Sequence, residues 1–235
     1  MIKESNLLSV LAAHKDLSPD IFKLYLDYLS IKIKDSEVTD LHSFVAFMKI
    51  ADDEEISTIY DNYFIGYTIP QISKEFDLIR IGNDSVINIE LKRNSSDEKI
   101  RIQLIQNKYY LSFLNKTTYN FTYVSDDTKL YQLDEHDELI EKDIAELITL
   151  LNKQEIRKIE NLDHYFNPSN YLVSPFNSTQ AFIDKQYFLT NHQDEIKAEV
   201  ITKIKSKGYS ILSIKGKAGT GKTLLTYTLG ETYQK

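Results

Sequence analysis

Residues 74 to 93, KEFDLIRIGNDSVINIELKR, read as two short apolar strands around a polar break at Gly82-Asn83-Asp84-Ser85. Gly, Asn, Asp and Ser form turns, and Asn and Asp tolerate the positive φ of tight hairpins. With Asn83 and Asp84 as a two-residue loop, antiparallel pairing sets the register. Ile81 then faces Val86, Asp77 faces Glu90 and Glu75 faces Lys92. Side chains alternate along a strand, so one face carries Phe76, Leu78, Ile89 and Leu91 for a core. The other carries Glu75, Asp77, Glu90 and Lys92 together. Directly opposed Cβ atoms lie about 5 Å apart, and like charges there repel. Two facing carboxylates suit a divalent cation, because hard oxygen ligands match Mg²⁺. A solvated hairpin face would carry the same charges without a metal; the apolar flanks favour a buried hairpin and the ion. Lys92 is placed to reach an anionic substrate or to orient a water.

The chain of 235 residues accommodates one large domain or two small ones. It has no cysteine, which excludes disulfides, thiolate zinc sites and cysteine nucleophiles. His14, His42, His136, His164 and His192 show no metal-ligand spacing. The N-terminal MIKESNLLSVLAAHK lacks the features of a signal peptide. No apolar run approaches the roughly 18 residues of a membrane span. A cytoplasmic protein with no membrane partner is expected. A net charge of −7 argues against nucleic acid, but the charge is uneven. Residues 185–235 hold nine lysines against four acids, and Lys92, Arg93, Lys99, Arg101, Lys108 and Lys116 follow the hairpin. That run reads equally as a solvated face or as a patch that tracks phosphates.

Residues 3–60 read as helical. Ser18-Pro19 is a helix start, with Ile21, Leu24, Tyr25 and Leu29 as its stripe. Asp40 is a candidate cap for a helix carrying Leu41, Phe44, Val45 and Met48. The acids at 52–55 fit a further helix N-terminus ahead of Ile56 and Ile59. A strand is expected over 62–69, a helix over 95–115 and a hairpin from 119–124 and 129–133. An amphipathic helix closes the region over 143–151. The result is an α/β core with a mixed sheet flanked by helices. From about Asn152 to residue 183 the texture becomes that of a connector, punctuated by Pro168 and Pro175. A helix is then expected over 184–205.

Asp77 followed by Glu90-Leu91-Lys92 resembles the Asp…(Asp/Glu)-X-Lys signature of the PD-(D/E)XK nuclease superfamily, with Phe76 in place of the usual proline. The resemblance covers residues 40–135. It implies a restriction-endonuclease-like core of order α-β-β-β-α-β and a Mg²⁺ or Mn²⁺ ion held by Asp77 and Glu90. It also implies a third carboxylate from the preceding helix, for which Glu55 is the candidate. Gln106 and Tyr110 on the next helix resemble the Gln-X-X-X-Tyr element of RecB-type nucleases; Gln103 is an alternative one turn earlier.

A second motif stands at Gly216-Lys217-Ala218-Gly219-Thr220-Gly221-Lys222-Thr223. It fits Gly-x-x-x-x-Gly-Lys-Thr in full, after an expected strand at 209–215 and before a helix. Gly216, Gly219 and Gly221 free the backbone to wrap phosphates, Lys222 reaches the β and γ phosphates, and Thr223 ligates Mg²⁺. Gln193, ahead of the preceding helix, resembles the Gln motif of superfamily 1 helicases, which reads adenine. Residues 171–225 resemble the start of a Schlafen-related, superfamily 1-like P-loop ATPase.

The expectation is therefore a nuclease-like domain over 1–152, a connector over 153–183 and the first part of a P-loop helicase domain over 184–235. The remaining helicase region would lie beyond this chain, and ATP hydrolysis by these residues alone is not expected. Nucleic acid, above all DNA, is the implied partner, and defence of a bacterium against foreign DNA is the implied setting. A non-catalytic nucleic-acid- or partner-binding module, or an RNase of the same fold, are the rival readings.

Overall fold

The structure, a computed structural model, describes residues 1–52, 58–70, 72, 74–167, 170–171, 179–180, 187–189, 191–205, 211–216 and 220–233. The chain divides into two compact units, Met1–Thr68 with Glu75–Tyr165 and Ile69–Lys74 with Phe166–Lys235. No helix among the described residues is long and apolar enough to cross a membrane.

The first unit opens with helices α1 (Leu7–Asp16), α2 (Pro19–Leu29) and α3 (Asp35–Ala51). A six-stranded sheet follows, built from β1 (Tyr63–Thr68), β2 (Glu75–Ile81), β3 (Ser85–Lys92), β4 (Thr117–Val124), β5 (Lys129–Leu133) and β6 (Leu139–Lys142). Helix α4 (Asp97–Ser112) crosses from β3 to β4, and α5 (Ile144–Lys153) closes the unit. The strands lie in chain order. All neighbours are antiparallel except β3 and β4, which the α4 crossover makes parallel.

The β2–β3 hairpin has the expected register: Ile81 pairs with Val86 and Leu78 with Ile89. Leu78, Ile89 and Leu91 enter the main core with Phe121, Tyr123 and residues of α1, α3 and α5, including Val10, Phe44 and Leu147. Phe76 is fully buried but lies outside that cluster. On the opposite face Ile100 and Leu104 of α4 pack on Val124. The segment after α5 stays with this unit. Gln154 donates to the Ser85 carbonyl at 3.1 Å, and Ile156 bridges to Gly82.

Local details depart from the expectations. Helix α3 begins at Asp35, because the Glu37 carboxylate accepts the Lys34 N–H at 2.9 Å and satisfies an orphan donor of the first turn. Asp40 is consequently inside the helix and buried, accepting from the Ser125 hydroxyl at 2.6 Å. Asp52 is the C-cap of α3 and residues 58–60 form a turn; the rest of the helix start expected at 52–55 lies outside the described residues. Strand β6 had no clear signature, since its four residues LIEK are amphipathic only by pairing with β5.

Gly66 has φ +67, and a Cβ there would fall on the Lys32 carbonyl oxygen. The α2–α3 connection therefore crosses β1 where only glycine fits. Arg80 is 2% exposed and donates to three backbone carbonyls: Asp61 at 3.0 Å, Leu151 at 2.9 Å and Thr58 at 3.0 Å. Burial lowers its pKa from the ordinary guanidinium value. Leu151 lies in the last turn of α5, where the helix dipole favours a cation. One side chain thus ties β2 to the turn before β1 and to α5. Arg80→Met should cost about 2–4 kcal/mol, since the Asp61 carbonyl loses its donor, and those of Thr58 and Leu151, which also accept from the Asp61 and Gln154 N–H groups, each lose one of two. Urea unfolding checks this, and a loss below about 1 kcal/mol would show that the carbonyls find other partners.

In the second unit the described helices are α6 (Asn191–Ile204) and α7 (Lys222–Tyr233). The stretch expected as a strand at 209–215 is described over 211–215, where it is not a strand. Ile211 is fully exposed, and among the described residues no strand pairs with it. An apolar strand needs a neighbour to take its backbone groups.

Candidate metal and phosphate sites

Asp77, Glu90 and Lys92 meet on the α4-facing side of the sheet. The backbone ladder between β2 and β3 is regular as far as Leu78 and Ile89. Beyond that pair the Asp77 carboxylate replaces a backbone acceptor and takes the Leu91 N–H at 2.8 Å. Asp77 is thereby fixed beside β3 rather than free to repel Glu90. Lys92 Nζ lies 3.8 Å from Asp77 Oδ2 and 3.9 Å from Glu90 Oε2. Glu75 is exposed and paired with Thr68, so Lys92 takes Asp77 and Glu90 in its place.

Glu90 is 1% exposed and held by amides. Asn107 Nδ2 donates to Oε1 at 2.8 Å, Asn88 Nδ2 to the same oxygen at 3.4 Å, and Gln103 Nε2 to Oε2. A buried carboxylate needs such partners to offset its lost hydration. Asp77 and Lys92 are about a quarter and a third exposed, so the cluster has a buried floor and a solvent-facing rim.

The helix phase on α4 differs from the expectation. Ile100, Leu104, Asn107 and Leu111 face inward, placing Gln103 over Glu90. Gln106 is half-buried and, among the described residues, bonds to neither carboxylate. Gln103 and Asn107 supply the i, i+4 pair instead. Tyr110, one turn further, is 5% exposed, and burial beside Tyr109 pushes its hydroxyl up to about 12. Asn107 and Asn88 were missed. Asn88 was within reach of the alternation rule, since it shares a strand face with Glu90 and Lys92.

Glu55 lies outside the described residues, and among the described residues no group of three or more His, Cys, Asp or Glu is placed to hold a metal. Asp77 and Glu90 alone offer two carboxylates, and a lysine ammonium already sits between them. Mg²⁺ is bound by one or two carboxylates and otherwise retains water. Two carboxylate donors match that count, and the Lys92 ammonium, 3.8 and 3.9 Å from them, supplies the positive charge there.

The basic residues after the hairpin are largely engaged. Arg101 pairs with Glu138 at 3.4 Å, Lys108 with Asp137 at 2.6 Å and Arg93 with Asp126 at 3.7 Å. Lys116 donates to the Gly82 carbonyl at 3.0 Å. In the second unit Lys222 Nζ donates to the Gly216 carbonyl at 3.0 Å. Gly221 has φ +73, and a Cβ there would strike the Gln193 amide, which donates to the Thr220 carbonyl at 3.0 Å. Thr223 is exposed in the first turn of α7, and Gly219 lies outside the described residues.

No protein-family model, curated protein or solved structure matches the chain.

Asn107→Asp would set a second carboxylate against buried Glu90. It should destabilise the unit by about 2–5 kcal/mol, and Glu90→Gln in the same chain should recover much of the loss. Thermal unfolding of the single and double variants checks this; additive losses would mean that the two side chains do not interact.

Proposed function

We propose that the first unit is a metal-dependent nuclease acting on phosphodiester bonds, with DNA as substrate, and that it works with a helicase-like ATPase to which the P-loop belongs. The observation that carries this reading is the convergence of Asp77, Glu90 and Lys92 over a floor of amides from α4. The element order α3-β1-β2-β3-α4-β4 supports it, being the order the PD-(D/E)XK resemblance implies.

Asp77 and Glu90 would hold Mg²⁺ or Mn²⁺, which when bound acidifies a coordinated water and offsets phosphate charge. Gln103 and Asn107 keep the Glu90 carboxylate in one orientation. The Leu91 N–H does the same for Asp77. Such preorganisation avoids reorientation during the reaction. Lys92, about a third exposed, would turn from the carboxylates to contact a phosphate oxygen. At the P-loop, the Gly216–Gly221 backbone, Lys222 and Thr223 would hold the phosphates of ATP. Gln193 braces the loop at Thr220.

A non-catalytic nucleic-acid-binding module is favoured by one observation: both Glu90 oxygens and the Lys92 ammonium are already partnered within the cluster. Incubating plasmid, single-stranded DNA and RNA with the protein and Mg²⁺ or Mn²⁺ separates the readings. Asp77→Ala and Lys92→Ala should each lower DNA cleavage roughly 100-fold or more, as expected when a charge-stabilising group is lost. Binding without cleavage, unchanged in Asp77→Ala, would favour the binding module; cleavage confined to RNA would make the enzyme an RNase.

A further inference from the structure

Beneath Glu90 the sheet and α4 enclose a layer of polar side chains. Asn88 and Asn120 are directly opposed across β3 and β4, and so are Glu90 and Thr122. Asn107 covers them from α4. Asn88, Asn107 and Thr122 are fully buried and Asn120 is 9% exposed.

In each of the two asparagines that touch Glu90, the amide nitrogen faces the carboxylate. Their Oδ1 atoms must then point elsewhere, because a flipped amide would set oxygen against carboxylate. Among the described residues Asn88 Oδ1, Asn107 Oδ1, Asn120 Oδ1 and Thr122 Oγ1 are all buried without a hydrogen-bond partner. The three amide oxygens can only accept. The Thr122 hydroxyl carries a single hydrogen and can serve at most one of them, so at least two amide oxygens call for hydrogens from outside these side chains, and buried polar atoms in folded chains nearly always have a partner.

We propose that this layer is a binding site for a cluster of internal water molecules, which donate to Asn88, Asn107 and Asn120 and bridge to the Thr122 hydroxyl. The cluster meets solvent at Asn120, which also lines a cleft of about 280 Å³ with Leu104, Lys108, Thr118 and Gln132. Exchange with solvent would then run on the α4–β5 side, through a cleft lined by neither Asp77 nor Lys92. The proposal stands on this polar layer and not on the nuclease reading.

Thr122→Val tests it, because valine keeps the shape and removes the hydroxyl. If the hydroxyl is hydrated, the variant loses a bridge and its Tm falls by about 2–4 °C, while Thr122→Ser stays closer to the parent. If the layer is dry, an orphaned polar atom is removed and the Tm rises, which overturns the proposal. Oxygen-17 relaxation dispersion on the unmodified chain gives a readout that does not depend on variants folding. Long-lived internal waters, reduced in number by Asn120→Leu, are expected; their absence would overturn the proposal. A Tm increase specific to K⁺ or Na⁺ over choline would also overturn it, assigning the oxygens to a monovalent cation.

Discussion

A carboxylate that is 1% exposed within a sheet cannot be left to itself, and the arrangement around Glu90 follows from that constraint. Its oxygens need donors, and helix α4 brings Gln103 and Asn107 to supply them. The same contacts fix the rotation of α4 about its axis and its height over β3 and β4. They leave Lys92 to meet Glu90 from the open side, where Asp77 also arrives. One buried charge therefore sets the packing of the crossover helix and the geometry of the candidate site together.

Arg80 offers a contrast within the same hairpin. It too is a buried charge, yet its partners are backbone carbonyls of a turn and a helix end. No carboxylate is among those three partners, and its role ends with joining β2 to the β1 turn and α5. Glu90 is instead ringed by side chains that reach solvent on one side. A buried charge with an exposed, oppositely charged neighbour can exchange that neighbour for a ligand; Arg80 has no such freedom. This difference sets the candidate site around Glu90 apart from the fastening at Arg80.

Much of the hairpin was legible because its determinants are local. A two-residue Asn83-Asp84 loop fixes the register, and period-two alternation then assigns Leu78 and Ile89 to the core and Asp77 and Glu90 to the other face. What the alternation rule could not show is that Asp77 would leave the ladder and accept the Leu91 N–H. On α4 the error was one of phase: Gln106 and Gln103 are both plausible until the direction of Leu104 and Asn107 is known. That direction is set by packing on β4 and β5, which the periodicity of α4 alone does not reveal. Asp40 was misplaced because Glu37, a stronger partner for the helix start, sits one turn earlier. The stretch at 211–215 has strand composition, but pairing is a property of two segments and the composition of one cannot supply it.

The proposed chemistry requires that the space between Asp77 and Glu90 accept a divalent ion when Lys92 moves aside. A crystal of the chain soaked in Mn²⁺ and measured for anomalous scattering answers that directly. A peak touching both carboxylates, lost in Asp77→Asn while the amide contacts to Glu90 remain, is the predicted result. Lys92 still bridging both carboxylates, with Mn²⁺ bound elsewhere or nowhere, would contradict it.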